Sequence, residues 1–310
     1  NVDSLACEHA AGAGHLSTLI WLREEIDCPW NEHTGIKAAA AGYMDIIEWL
    51  YENKYPWTST MYLSAARHGY VDIVEWGFKH GCIMTSTFYN RAANGGHSDM
   101  MFWLYEIGCP LDKTDMSLCS HIASFGDIET LQWLRGLGCA WGKYTCINAA
   151  EGGHLETLKW AVENGCPLKE CSCSSAVMSG DLEILKLFRA AGCKWDAYTC
   201  SCAARHGHLD LLVWARSMGC PWNASTCYNA IEEGYPDIFK WAYTNGCGYG
   251  SEEEGFIVTS TIKHRFDLLE WMLNQRQFQN ISRDVFSNND FIWRYHFYGF
   301  EHKDNTTCID

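Results

Sequence analysis

The chain contains no run approaching the roughly eighteen consecutive apolar residues that span a bilayer, and no basic stretch followed by an apolar one near its start. These absences lead to the expectation of a soluble, unsecreted chain without membrane insertion. Basic residues are scarce too: 23 Lys and Arg stand against 38 Asp and Glu, a formal charge of −15. A phosphate backbone draws the opposite balance, so no nucleic-acid partner is expected. Also missing are the short motifs that organise common catalytic sites. There is no nucleophile elbow, phosphate-binding loop, dinucleotide fingerprint or His-Glu-x-x-His run. An enzyme is therefore the weakest expectation, and no cofactor is implied. The first residue is Asn1, and it falls inside a repeat, which suggests a processed or truncated piece of a longer protein.

What is present is enough apolar material for a packed core, 47% of 310 residues, and 17 cysteines. Disulfide frameworks belong to short secreted chains that cannot build a core, and this length removes that need. Sequons at Asn223, Asn280 and Asn305 carry no weight without a secretory signal and are expected to be unused.

A tryptophan recurs at Trp21, Trp49, Trp76, Trp103, Trp133, Trp160, Trp214, Trp241 and Trp271, with Leu187 filling the gap. Most steps are 27 residues; one is 28, and two, ending at Trp133 and Trp271, are 30. A fixed period of this size is the signature of a repeat array. Seven residues before the anchor stands a glycine in nine consecutive repeats, from Gly14 to Gly234, and the tenth has His264 instead. Each repeat reads as two helices joined by a turn at that glycine, where positive φ is often needed. The first helix carries small pairs such as Ala38-Ala39, Ala65-Ala66 and Ala203-Ala204, which let a neighbouring helix come close. Thr34, Thr60, Thr87, Ser117, Thr145, Ser172, Thr199 and Thr226 open these first helices and are expected to cap them. The second helix bears an acid in its first turn (Asp45, Asp72, Asp99, Glu129, Glu156, Glu183, Asp210, Asp237, Asp267), which complements the helix dipole. A carboxylate repeated along a rod reads as structure rather than as acid–base chemistry. Apolar positions such as Leu155, Leu158 and Trp160 have helical spacing, and the tryptophan ladder is expected to be core.

Segments such as Thr145-Cys-Ile-Asn-Ala-Ala-Glu-Gly-Gly-His-Leu-Glu156 and Thr199-Cys-Ser-Cys-Ala-Ala-Arg-His-Gly-His-Leu-Asp210 resemble the inner helix and turn of ankyrin repeats. The pattern looks like the short, finger-poor ankyrin arrays of large DNA viruses and protists. It departs from the family in being six residues shorter than the usual 33 and in lacking the Thr-Pro-Leu-His signature. A short loop, as in Cys220-Pro-Trp-Asn223, stands where ankyrins project a β-hairpin finger. The resemblance covers residues 1–274 and implies an all-α, helix-turn-helix solenoid of about ten repeats with short loops. Residues 275–310 break the period and are crowded with aromatics, including Phe291, Trp293 and Tyr295. They are expected to cap the last repeat or to dock a partner.

The cysteines lie in two ladders, Cys28, Cys82, Cys109, Cys139, Cys166, Cys193, Cys220 and Cys247 in the loops and Cys7, Cys119, Cys146, Cys173, Cys200 and Cys227 on the first helices. Stacked helices about 8–10 Å apart hold ladder neighbours beyond disulfide reach. Buried, reduced thiols are expected, and with them a cytoplasmic, reducing compartment. Cys171, Cys173, Cys200 and Cys202 form two C-x-C pairs, but zinc prefers C-x₂₋₄-C, so no metal site is expected. His15, His97, His154 and His208 follow the turn glycine, a position from which each is expected to bond the backbone of a neighbouring repeat. The loop residues Trp30, Trp57, Trp141, Trp195 and Trp222 interchange with Met84, Leu111 and Leu168, so packing under the loop is favoured over an aromatic stripe for ligands.

On the first helix the positions not claimed by these ladders vary: Lys37, Arg67, His68, Arg91, Asn94, His121, Asn148, Glu151, Arg205, His206, Asn229, Glu232 and Glu233. Variable residues on a constant frame are where specificity can reside, and repeat stacks offer an extended concave face. The expected function is a non-catalytic adaptor or scaffold that binds a protein partner there. A permanent subunit of a large multiprotein or viral assembly is the alternative, and a thiol- or metal-dependent enzyme the weakest.

Overall fold

The computed structural model describes residues 3–168, 173–248 and 253–275. Among the described residues the chain is all-helical, with no strand. Two compact units divide it, Asn1–Pro167 and Leu168–Asp310. Of the expected tail, only Gln275 falls within the described residues.

In the N-terminal unit the first helices of six repeats are α1 (Ser4–Gly12), α3 (Glu32–Ala41), α5 (Ser59–His68), α7 (Thr87–Gly95), α9 (Met116–Ser124) and α11 (Lys143–Glu151). Their partners are α2 (Leu16–Glu24), α4 (Met44–Glu52), α6 (Val71–Lys79), α8 (Ser98–Glu106), α10 (Ile128–Gly136) and α12 (Leu155–Glu163). The C-terminal unit continues with α13 (Cys173–Ala176), α15 (Ala197–Arg205), α17 (Ala224–Glu233) and α19 (Glu253–Ile262), paired with α14 (Leu182–Ala190), α16 (Leu209–Ser217), α18 (Pro236–Thr244) and α20 (Phe266–Leu273). Helices of nine or ten residues are too short to persist alone in water, so tertiary packing must supply their stability. Within each unit every first helix lies against its own partner and against the next first helix.

The small residues permit that approach. Ala38, Ala39, Ala65, Ala66, Ala92 and Ala93 are fully buried. Between α5 and α7 the backbones come so close that a Cβ on Gly95 would sit 1.9 Å from the Arg67 carbonyl oxygen. At the turn, Gly42 has φ +82, and the ring of Tyr70 from the following repeat fills the space beside it. His264, which replaces the turn glycine in the tenth repeat, keeps the left-handed conformation at φ 56.

Two local expectations require correction. The caps of the first helices lie upstream of most of the hydroxyl ladder: Asp3, Asn31, Asp115, Asp196 and Asn223 accept from backbone amides of the first turn. Thr34, Thr145, Thr199 and Thr226 occupy the third helical position and are fully buried. Among the described residues only α15 has its threonine take part in capping, as its hydroxyl accepts from the Asp196 amide in a capping box. Thr60, Thr87 and Ser117 stand at the first or second helical position, and Ser172 lies outside the described residues. The sequon residue Asn223 is thus a helix cap, whereas Asn280 and Asn305 lie outside the described residues.

The second correction concerns the tryptophans. The buried face of the second helices is aliphatic, built from Ile46, Ile47 and Leu50, then Ile73 and Val74, Met100, Met101 and Leu104, and Leu131 and Leu134. Trp21 is 52% exposed, and Trp49, Trp76, Trp103, Trp133, Trp160, Trp214, Trp241 and Trp271 are only half-buried. The reason is positional: Trp49, Trp76, Trp160, Trp214 and Trp241 lie where the ring meets a tryptophan of the preceding loop, and Trp103, Trp133 and Trp271 where it meets aromatic rings of the preceding second helix. Trp30 meets Trp49 edge-on at 5.9 Å, Trp141 meets Trp160 at 5.7 Å and Trp222 meets Trp241 at 5.7 Å. An indole suits this rim, with its apolar body packed and its N–H edge wet. The first-turn acids of the second helices are where the sequence placed them, from Asp45 to Asp267.

Candidate functional site

The varying positions all fall on first helices or their C-termini. In the N-terminal unit Lys37 is on α3, Arg67 and His68 on α5, Arg91 and Asn94 on α7, His121 on α9, and Asn148 and Glu151 on α11. In the C-terminal unit Arg205 and His206 end α15, and Asn229, Glu232 and Glu233 lie on α17. Lys37, Arg67, His68, Arg91, Asn94, Glu151, Arg205, Glu232 and Glu233 are exposed, whereas His121, Asn148, His206 and Asn229 are half-buried.

Side-chain bonding divides these residues further. Asn148 donates to the Ser120 carbonyl at 3.0 Å, and Asn229 does the same to Ser201 at 2.9 Å. Each amide therefore ties its helix to the preceding first helix. Asn94 donates to His121 Nε2 at 3.2 Å, while His121 Nδ1 is buried without a partner among the described residues. Burial holds the His121 imidazole below its ordinary pKa, against the upward pull of Asp115. Beside them Asn90 donates to Asp115 at 2.6 Å and accepts from the Ser117 hydroxyl at 2.8 Å. Burial pushes the Asp115 carboxyl up, but the bonds from Asn90 and Ser117 outweigh it, and the group lies below its ordinary range. Arg205 faces Glu233 at 3.8 Å, both half-exposed, a geometry worth little in water. His68 Nδ1 donates to Ser64 within its own helix at 2.9 Å. Lys37, Arg67 and Arg91 make no ion pair among the described residues, and they stand on three successive first helices.

The turn histidines only partly do what their position suggested. His154 donates to the Ser124 carbonyl at 3.0 Å. His97, His154 and His208 lay their rings beside Gly69, Gly126 and Gly180, and His208 Nε2 is buried with no hydrogen-bond partner among the described residues. His15 is exposed. In the fifth repeat Asp127 takes this place, accepting from Ser98 at 2.5 Å and capping α10.

Two arrangements were not anticipated. In four repeats an arginine from the last turn of the second helix is clamped between a loop carbonyl and a loop tryptophan. Arg23, Arg135, Arg189 and Arg216 donate to the carbonyls of Cys28, Cys139, Cys193 and Cys220. Their guanidinium carbons lie 3.9–4.2 Å from the ring centres of Trp30, Trp141, Trp195 and Trp222. These loop tryptophans, like Trp57, are half-buried clasps rather than core.

The second is the meeting of the two cysteine ladders inside six of the repeats. Cys146 and Cys166 have their sulfurs 2.6 Å apart. The thiols of Cys7 and Cys28, Cys200 and Cys220, and Cys227 and Cys247 also meet, and Cys119 and Cys173 face Cys139 and Cys193. The same two places hold Gly35 and Tyr55 in the second repeat, Tyr62 and Cys82 in the third, and Tyr89 and Cys109 in the fourth. Burial pushes Cys109 to about 11 and Cys7, Cys119 and Cys173 to about 12, values at which a thiol is a poor nucleophile. Cys166, Cys220 and Cys247 are lowered, each by a bond from its partner's thiol. Cys173 and Cys200 thus face loop cysteines of their own repeats rather than each other, and Cys171 lies outside the described residues.

No family model matches the chain, and no curated protein aligns with it significantly. Function must therefore be argued from the residues themselves.

The second-helix side of the N-terminal unit carries its own surface feature. Tyr51, Phe78 and Tyr105 are 43–47% exposed. Each leans on the tryptophan of the following repeat, Tyr51 on Trp76 at 5.0 Å and Tyr105 on Trp133 at 5.5 Å. An open crevice lined by Tyr51, Trp57, Tyr62, His80, Ile83 and Phe88 lies beside them.

Proposed function

We propose that the chain is a non-catalytic adaptor of ankyrin-like repeats, working in a reducing, cytoplasmic compartment and binding a protein partner along the first-helix face of its N-terminal unit. The observation that carries this reading is the row of unpaired cations Lys37, Arg67 and Arg91 on a chain of formal charge −15. A self-repelling acid-rich chain has many carboxylates with which to neutralise three arginines and lysines. Leaving them free on one face favours a partner that brings acidic groups to it. Asn148 and Asn229 are withdrawn by their bonds between helices, and His68 Nδ1 and His121 Nε2 are taken up by Ser64 and Asn94. In the C-terminal unit Arg205, His206, Glu232 and Glu233 form a mixed-charge group on the first helices α15 and α17.

The test is affinity capture from native extract with the wild type and with a variant carrying Lys37→Glu, Arg67→Glu and Arg91→Glu. All three residues are exposed, so the fold should survive. A partner held by the wild type, released by moderate salt and lost from the variant supports the reading. A partner retained equally by both overturns it.

The exposed Tyr51, Phe78 and Tyr105 row favours a second reading, a fixed subunit of a larger assembly, since contiguous apolar surface often marks permanent contacts. Substituting these three with Ser would then release the partner, with the cationic variant unaffected.

A further inference from the structure

We propose that Cys146 and Cys166 form a covalent site, a dithiol that a hydroperoxide-class oxidant converts to a disulfide within the sixth repeat, tying helix α11 to the loop after α12. The two sulfurs, 2.6 Å apart, already have the proximity that disulfide closure requires. Filling of space does not by itself call for two sulfurs here, because the equivalent places hold Gly35 with Tyr55 and Tyr89 with Cys109 in other repeats. Nor does the pairing depend on neighbouring repeats. Both partners belong to one helix–turn–helix, so closure needs no rearrangement of the stack.

The two thiols differ in role. Cys166 is the loop member and is 5% exposed, whereas Cys146 is fully buried on the first helix. The bond from the Cys146 thiol lowers the Cys166 thiol below its ordinary range, which makes Cys166 the nucleophile. Its sulfur attacks one oxygen of hydrogen peroxide, the O–O bond breaks, and one water leaves with the Cys166 proton. The sulfenic acid so formed is then attacked by the Cys146 sulfur. The S–O bond breaks, a second water carries away the Cys146 proton, and the disulfide remains. Two thiols have lost two electrons, and one peroxide has become two waters.

The experiment treats fully reduced full-length protein with hydrogen peroxide under native conditions. Remaining thiols are then alkylated in denaturant and the cross-linked peptides mapped by mass spectrometry. A Cys146–Cys166 link that forms as the dominant product and is reversed by dithiothreitol is the expected result. Cys146 and Cys166 both alkylated, Cys166 driven to sulfinic acid without a link, or cross-links chiefly between different repeats would each overturn the proposal. The Cys146→Ser variant, checked for helicity by circular dichroism, should accumulate a dimedone adduct on Cys166 that the wild type does not. Equal adducts in the two proteins would show that Cys146 does not resolve the sulfenic acid, and would also overturn it. If that variant fails to fold, the wild-type map alone decides.

Discussion

Repeats two to four and repeats five to nine solve the same packing problem with different chemistry. At the junction of first helix and closing loop the early repeats place Tyr55, Tyr62 or Tyr89, whereas the later ones place two cysteines facing each other. Tyr55 shows how the larger ring also satisfies polar groups: its hydroxyl donates to the Asn31 carbonyl at 2.6 Å and accepts from the Gly35 amide at 3.1 Å. The thiol pairs fill the junction with two small side chains and bring two sulfurs together, whereas Tyr62 and Tyr89 leave Cys82 and Cys109 facing a ring. The frame therefore specifies a volume, and residue choice decides whether the junction is inert or reactive.

The largest test of that comparison is at the tyrosine end. Tyr89 is fully buried, so Tyr89→Ala should destabilise by about 3–5 kcal/mol, the range for large buried aromatics. Cys119, fully buried opposite Cys139, loses far less volume on truncation, and Cys119→Ala should cost roughly 1–2 kcal/mol. Paired chemical denaturation measures both; equal losses would show that the two junctions are not equivalent packing solutions. The rim should fall between or below them. Because Trp160 is half-buried and leans edge-on against Trp141, Trp160→Ala should cost roughly 1–2 kcal/mol instead of the full buried-aromatic penalty. A loss above about 3 kcal/mol would return the ladder to the core.

A smaller effect of opposite sign is expected at the tenth turn. His264 holds φ 56 where other repeats use glycine, so His264→Gly should raise stability by about 0.5–1 kcal/mol. The contact between α7 and α9 adds a pH dependence. The lowered Asp115 carboxyl contributes stability above its unfolded pKa, and this is lost as pH falls through its folded value. The lowered His121 imidazole binds its proton more weakly when folded, so stability also falls as pH drops below about 6.5, its unfolded value. Acid should therefore loosen this contact, and Asn90→Ala should blunt the Asp115 component. Hydrogen exchange of α7 and α9 between pH 7 and pH 4 reads the effect; protection that rises on acidification would reverse the sign.

The period, the helix pairs, the turn glycines and the first-turn acids were legible because each recurs at a fixed offset from one anchor. The facing of Trp160 was not, since helical spacing places Leu158 and Trp160 on one broad stripe without saying which lies at its edge. The threonine hydroxyls misled because Thr34 and Thr226 are small, buried and near a helix start, while the capping groups Asn31 and Asn223 lie three residues earlier. The thiol contacts do not follow from ladder neighbours 27 residues apart, because the meeting partners, as Cys146 and Cys166, are 20 apart within one repeat. Their signal was present: six repeats carry cysteine at both places.

The most direct test of the functional account places a photo-reactive residue either at Arg91, on the first-helix face, or at Phe78, on the aromatic row, and irradiates each in native extract. Labelling of one partner from position 91 and not from position 78 is the predicted result. The same partner labelled only from position 78 would contradict the account and put the contact on the second helices.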